Sequence, residues 1–120
     1  MKVTVRITST FKAALKPLLK KYPTLGIDLL NLEKELTKTP RLGTPLGKDA
    51  FKIRLKISGK GKGKSGGGRV ITYVEATVIG VKEKISEDEI TVNMVMIYDK
   101  SETSTISQKE LRRLITNIQL

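Results

Sequence analysis

The sequence predicts a single α+β domain, an antiparallel sheet covered by helices, in the order β-α-α-β-β-β-α. Three observations predict it. Four segments alternate apolar and polar residues or run on in β-branched ones, as strands do. Three others repeat apolar residues at helical spacing. The last three strand-like segments follow one another over connections too short for a crossover, which makes neighbours antiparallel and leaves the helices to cover a sheet face. The 120 residues suffice for one core and not two, and no repeat or linker divides the span 1–120.

Residues 2–8, KVTVRIT, set Val3, Val5 and Ile7 against Lys2, Thr4 and Arg6, the alternation of a half-buried strand. Ser9 or Thr10 is placed to cap a helix carrying Phe11, Ala14, Leu15, Leu18 and Leu19, with a bend or a shortened helix expected from Pro17 and an end at Tyr22-Pro23. A second helix is expected over 24–38, with Leu25, Leu29, Leu32 and Leu36 as its apolar stripe and Glu33, Lys34 and Glu35 toward water. TPRLGTPLG, with two Pro and two Gly, reads as loop. AFKIRLKIS, 50–58, alternates throughout: Phe51, Ile53, Leu55 and Ile57 on one side, Lys52, Arg54 and Lys56 on the other. RVITYVEATVIGV is a long β-branched strand, KEKISEDE a polar connection, and ITVNMVMIY a central strand, apolar on both faces. The last helix opens with a capping box, Ser107 and Glu110, with Ile106 and Leu111 at staple positions; Leu111, Leu114, Ile115 and Ile118 form its apolar face.

Lys and Arg number 23 against 12 Asp and Glu, a net charge of +11 that favours polyanions through counterion release. Neither His nor Cys occurs, which excludes disulfides, Cys or His metal sites and nucleophiles activated by histidine. No apolar run approaches the ~20 residues of a membrane span, and the first residues alternate rather than forming a signal-like apolar core. A cytoplasmic protein with no membrane partner, no metal and no cofactor is the expectation.

GKGKGKSGGGR, 59–69, contains Gly63-Lys64-Ser65, the end of a phosphate-binding P-loop. The first glycine of that motif would fall at residue 58, which is serine, and a strand rather than a helix follows. A P-loop is therefore excluded. A plain flexible hairpin needs no cations, whereas residues 52–69 carry seven positive charges and no negative one. The segment reads as a grip for nucleic-acid phosphates, to which amides of Ser65-Gly66-Gly67-Gly68 add an anion-binding concavity. Only five aromatic residues occur, and Phe11 and Phe51 look like core, so backbone grip outweighs base stacking.

FKAALKPLLKKYPTLGIDLLNLEKEL, KIRLKI, GKGKSGGGRVITYV, IYDKSE and the Ile106-Ser107, Glu110-Leu111 and Leu114-Ile115 pairs, in that order, resemble the RelE-type toxins of bacterial toxin–antitoxin modules over nearly the whole chain. The resemblance implies a microbial-ribonuclease-like fold and metal-independent cleavage of mRNA on the ribosome, with the RNA's own 2′-OH as nucleophile. It implies mRNA and the ribosome, with its 16S rRNA, as partners, and an acidic cognate antitoxin. By position it assigns catalytic roles to Lys52, Arg54, Arg69 and Lys100, and RNA binding to Lys56, Lys60, Lys62, Lys64, Ser65 and Tyr98. A lysine crowded by cations has a lowered pKa and suits a base, whereas Arg54 stays protonated, so Lys52 is the base on its strand. The family's late tyrosine has no clear counterpart, since Ile106 and Ser107 occupy that region; Tyr98 either substitutes for it or packs in the core at its strand end, and Asp99 is expected to pair with Lys100 or Arg69. Two alternatives stay open: a ParE-like toxin that inhibits gyrase, and a non-catalytic protein that only binds RNA or its antitoxin.

Overall fold

In a computed structural model, residues 2–57, 67–79, 86–101 and 106–118 are described. The elements are β1 (Lys2–Ile7), α1 (Ser9–Lys21), α2 (Leu25–Lys38), β2 (Thr44–Gly47), β3 (Ala50–Leu55), β4 (Gly68–Ile79), β5 (Ser86–Asp99) and α3 (Gln108–Thr116). Five strands form one sheet in the order β1-β5-β4-β3-β2. The domain is α+β, as its sequence predicts.

Three features differ from the expected layout. The sheet is mixed: β2 to β5 are antiparallel in sequence, but β1 lies parallel to β5, from Lys2 opposite Glu89 to Ile7 opposite Met94. These two strands are remote in sequence, so no short connection dictates their direction. The second difference is β2, inside the segment expected to be loop. Its Pro45 is tolerated because β2 is an edge strand with one side free of ladder hydrogen bonds. The return to β3 is made by Gly47, Lys48 and Asp49, all at positive φ, and the Asp49 carbonyl accepts from the Val74 amide at 2.9 Å. Finally, β5 begins at Ser86, so part of the expected polar connection is strand.

Helices cover both faces, not one. On the first face α1 and α2 bury Phe11, Leu18, Leu25, Leu32 and Leu36 against Phe51, Ile53, Leu55, Val70, Val92 and Met94. On the second, Leu111 of α3 packs with Ala50, Ile71, Val95 and Tyr98. The interior strand β5, second in the sheet, is thus apolar on both sides, as its composition requires.

Local signals explain most element ends. Thr8, one residue before the expected cap, accepts from the Phe11 amide at 3.2 Å and donates to the Met94 carbonyl at 3.0 Å, tying α1 to β5. Helix α1 runs through Pro17 to Lys21, so it is not cut short there; the exposed ring removes one backbone hydrogen bond while Phe11 and Leu18 on either side stay buried. Tyr22 ends α1 as read from the sequence. At α3 the Ser107 hydroxyl accepts from the Glu110 amide at 3.1 Å, the first half of the expected capping box.

Candidate functional site

The alternation of β3 sends Phe51, Ile53 and Leu55 to the α1–α2 face and Ala50, Lys52 and Arg54 to the α3 face. Strand register then decides what stands beside them. Arg54 of β3 is opposite Arg69 of β4, and Arg69 is opposite Tyr98 of β5. Arg54, Arg69 and Tyr98 form a row across three strands. Lys52 stands one row along, opposite Ile71. Residues directly opposed across an antiparallel pair have Cβ atoms about 5 Å apart, and like charges there repel.

The members differ in exposure. Arg54 is exposed, Lys52 half-buried and Arg69 buried. The Arg69 guanidinium donates to the Gly68 carbonyl at 3.0 Å. Tyr98 is buried at 8% exposure, and its hydroxyl has no hydrogen-bond partner among the described residues. Burial raises its pKa above the ordinary value, and the nearby Arg69 charge offsets part of the rise. Lys52 and Tyr98 also share the wall of a small cavity closed by Ile106, Gln108 and Leu111 at the start of α3.

Around this row the backbone is tightly fixed. Gly67, at φ +56°, has its α-carbon against the end of β3: a Cβ there would lie 3.0 Å from the Leu55 carbonyl oxygen. Its own carbonyl accepts from the Lys100 amide at 3.0 Å, so the ends of β3, β4 and β5 meet at one point. Asp99 anchors the same end from the opposite face. Its buried carboxylate accepts from Tyr22 Oη at 2.7 Å, the Ser101 hydroxyl at 2.7 Å and the Ser101 amide at 2.9 Å, with Lys21 Nζ at 4.0 Å. Lys21, Tyr22 and Ser101 are contacts that the sequence reading did not include. The Asp-Lys-Ser spacing was the readable signal, because an aspartate commonly accepts from the amide two residues on.

The sequence-derived residues therefore divide into groups. Lys52, Arg54, Arg69 and Tyr98 share one face of the sheet. Lys56 is exposed just beyond β3, and Lys100 is half-buried just beyond β5. Lys60, Lys62, Lys64 and Ser65 lie outside the described residues. Tyr98 is packed under α3 rather than presented as an open stacking surface. The sequence did not reveal this cover, because it marked which side of each helix is apolar and not which side of the sheet receives it.

The described part offers no group of three or more His, Cys, Asp or Glu side chains suited to a metal ion. None of its helices is long and apolar enough to cross a membrane. Comparison of the chain with models of known families and with curated proteins returns no match.

Proposed function

We propose that the chain is a RelE-type toxin, a ribosome-dependent mRNA endoribonuclease that uses the α3 face of its sheet. The row Arg54–Arg69–Tyr98 with Lys52 beside it carries this reading. Arg54 and Arg69 at opposed positions of β3 and β4 concentrate positive charge on one face, and a phosphodiester fits that charge.

In this reading Lys52 takes the proton from the RNA 2′-OH, whose oxygen attacks the adjacent phosphorus. The P–O5′ bond breaks, leaving a 2′,3′-cyclic phosphate and a 5′-hydroxyl. Arg54 and Arg69 hold the phosphoryl oxygens as charge builds on them. The buried Tyr98 hydroxyl, kept protonated by its surroundings, supplies a proton to the departing 5′ oxygen. Lys56, Lys100 and the cations of 60–64 bind flanking phosphates. The ribosome supplies the geometry of the mRNA strand.

An acidic antitoxin is the expected partner. A groove of about 240 Å³ between α1, α2 and β1 supports a protein partner, with Leu19 and Leu30 exposed along it. The test is cleavage of mRNA in purified ribosome complexes. Wild type should yield fragments with cyclic-phosphate ends, and Lys52→Ala with Arg54→Ala should yield none. Cleavage by the double variant at the wild-type rate would remove the assignment. Inhibition of gyrase supercoiling without RNA cleavage would replace it with the ParE-like reading.

A further inference from the structure

A strand at the edge of a sheet offers its backbone donors and acceptors to any other strand, and natural sheets guard such edges. Two edges here are guarded. On β1, Lys2 and Arg6 are exposed, and β2 is four residues long and contains Pro45. A third edge is unguarded. β3 runs beside β4 only as far as Ala50 opposite Tyr73, and the turn before it adds one bond, from the Val74 amide to the Asp49 carbonyl. β4 continues to Ile79 paired with β5, and β1 begins opposite Glu89, so residues 75–79 and 86–88 form a two-stranded ribbon. Successive residues of a strand aim their peptide groups to opposite sides. The Ala76 amide and carbonyl therefore point as those of Val74 do, to a side where no strand stands among the described residues. Glu75 and Ala76 are exposed, and the segment EATVI, 75–79, is β-branched at three of five positions with neither Pro nor Lys.

Charge sets this edge apart in a chain whose net charge is +11. Residues 75–79 and 86–89 hold Glu75, Glu87, Asp88 and Glu89 and no basic residue; with the connecting residues 80–85 the count is five acidic to two basic. Lys2 of β1 stands opposite Glu89, and the turn at the base brings Lys48 and Asp49, one charge of each sign. The Asn93 side-chain amide donates to Glu75 Oε1 at 2.8 Å and fixes that carboxylate at the root of the ribbon. We infer that the free edge of β4, residues 75–79, is a docking site for an extended segment, rich in Lys or Arg, of a partner protein. The segment joins the sheet as a further strand beside β4. Backbone hydrogen bonds hold it, and the acidic residues select its charge. A second copy of this chain is the wrong occupant, because two ribbons edge to edge bring acidic residues against acidic residues. None of this depends on the α3 face or on RNA.

Amide NMR of the full chain at low salt, titrated with three capped heptapeptides, tests this. One alternates Lys with Val, one alternates Glu with Val, and the third is the Lys peptide with Pro at its centre, which lacks a ladder donor there. The Lys–Val peptide should bind at least about tenfold more tightly than either control, the scale of one lost backbone hydrogen bond. It should shift residues 74–79 and slow hydrogen exchange at Ala76, which attraction between charges alone does not do. Ala76→Pro removes the edge amide at a position where edge strands accept proline. It should bring the Lys–Val peptide down to the level of the controls, while unchanged amide shifts on the α3 face show that the fold is intact. Glu75→Gln should weaken the Lys–Val peptide and leave the Glu–Val peptide no weaker. Equal binding of all three peptides, no binding at millimolar peptide, or shifts without slowed exchange at Ala76 would overturn the inference. Slow exchange at Ala76 without peptide, together with a dimer in sedimentation, would overturn it in favour of a second copy.

Discussion

Arg54 and Arg69 occupy opposed positions of β3 and β4, with no negative charge between them in sequence, and this pair of cations marks the site. Like charges at opposed positions destabilise a sheet by a fraction of a kcal/mol up to about 1 kcal/mol. Arg54→Ala should therefore leave thermal stability unchanged or slightly raised while weakening RNA binding; a clear loss of stability in a denaturant titration would mean that Arg54 serves the fold instead. Tyr98 gives a parallel case. Its buried hydroxyl lacks a hydrogen-bond partner among the described residues, so Tyr98→Phe should be neutral or stabilising by up to about 1 kcal/mol while impairing cleavage. The folded protein holds the phenolic proton more tightly than the unfolded chain, whose tyrosine titrates near 10.0. Stability should thus fall as pH rises past that value toward the folded pKa, and the phenylalanine variant should lose this part of the slope. A cost above about 2 kcal/mol for Tyr98→Phe would show that the hydroxyl has a structural partner.

Among the elements, α2 shows how much a stripe of leucines conveys. Leu25, Leu32 and Leu36 are buried as the spacing predicts, while Leu29 is only half-buried beside the apolar groove. Leu32→Ala should destabilise by about 2–5 kcal/mol, read from chemical denaturation; less than about 0.5 kcal/mol would mean that the helix face is misassigned. Lys52 and Arg54 could be put on one side of β3 from alternation alone. Their neighbours could not, because register depends on pairing between remote segments. The β2 strand was hidden by Pro45 and two glycines, signals that describe turns and permit an edge. The Asp99–Tyr22 bond joins residues 77 apart in sequence, and no local pattern carries it.

At the level of the whole molecule, charge and cover act together. A net charge of +11 draws polyanions to every side, but the row on the α3 face gives that attraction a defined place. If Arg54 and Arg69 together hold one phosphate and Lys56 and Lys100 one each, three phosphates of a single strand are neutralised, and binding should weaken by about 20-fold between 50 and 200 mM salt. A flat response would exclude phosphate contacts as the source of affinity. The α+β class followed from periodicity because each element matched its own template. The mixed sheet and the helix on each face did not, since they are set by which surfaces meet after the chain has collapsed.

The most direct test of the central claim is to map mRNA 5′ ends in cells after brief induction of the wild-type chain and of a Lys52→Ala/Arg69→Ala variant. The account predicts new ends within translated regions for the wild type and their loss in a variant that still folds. New ends undiminished in the variant, or growth arrest without any new ends, would contradict it.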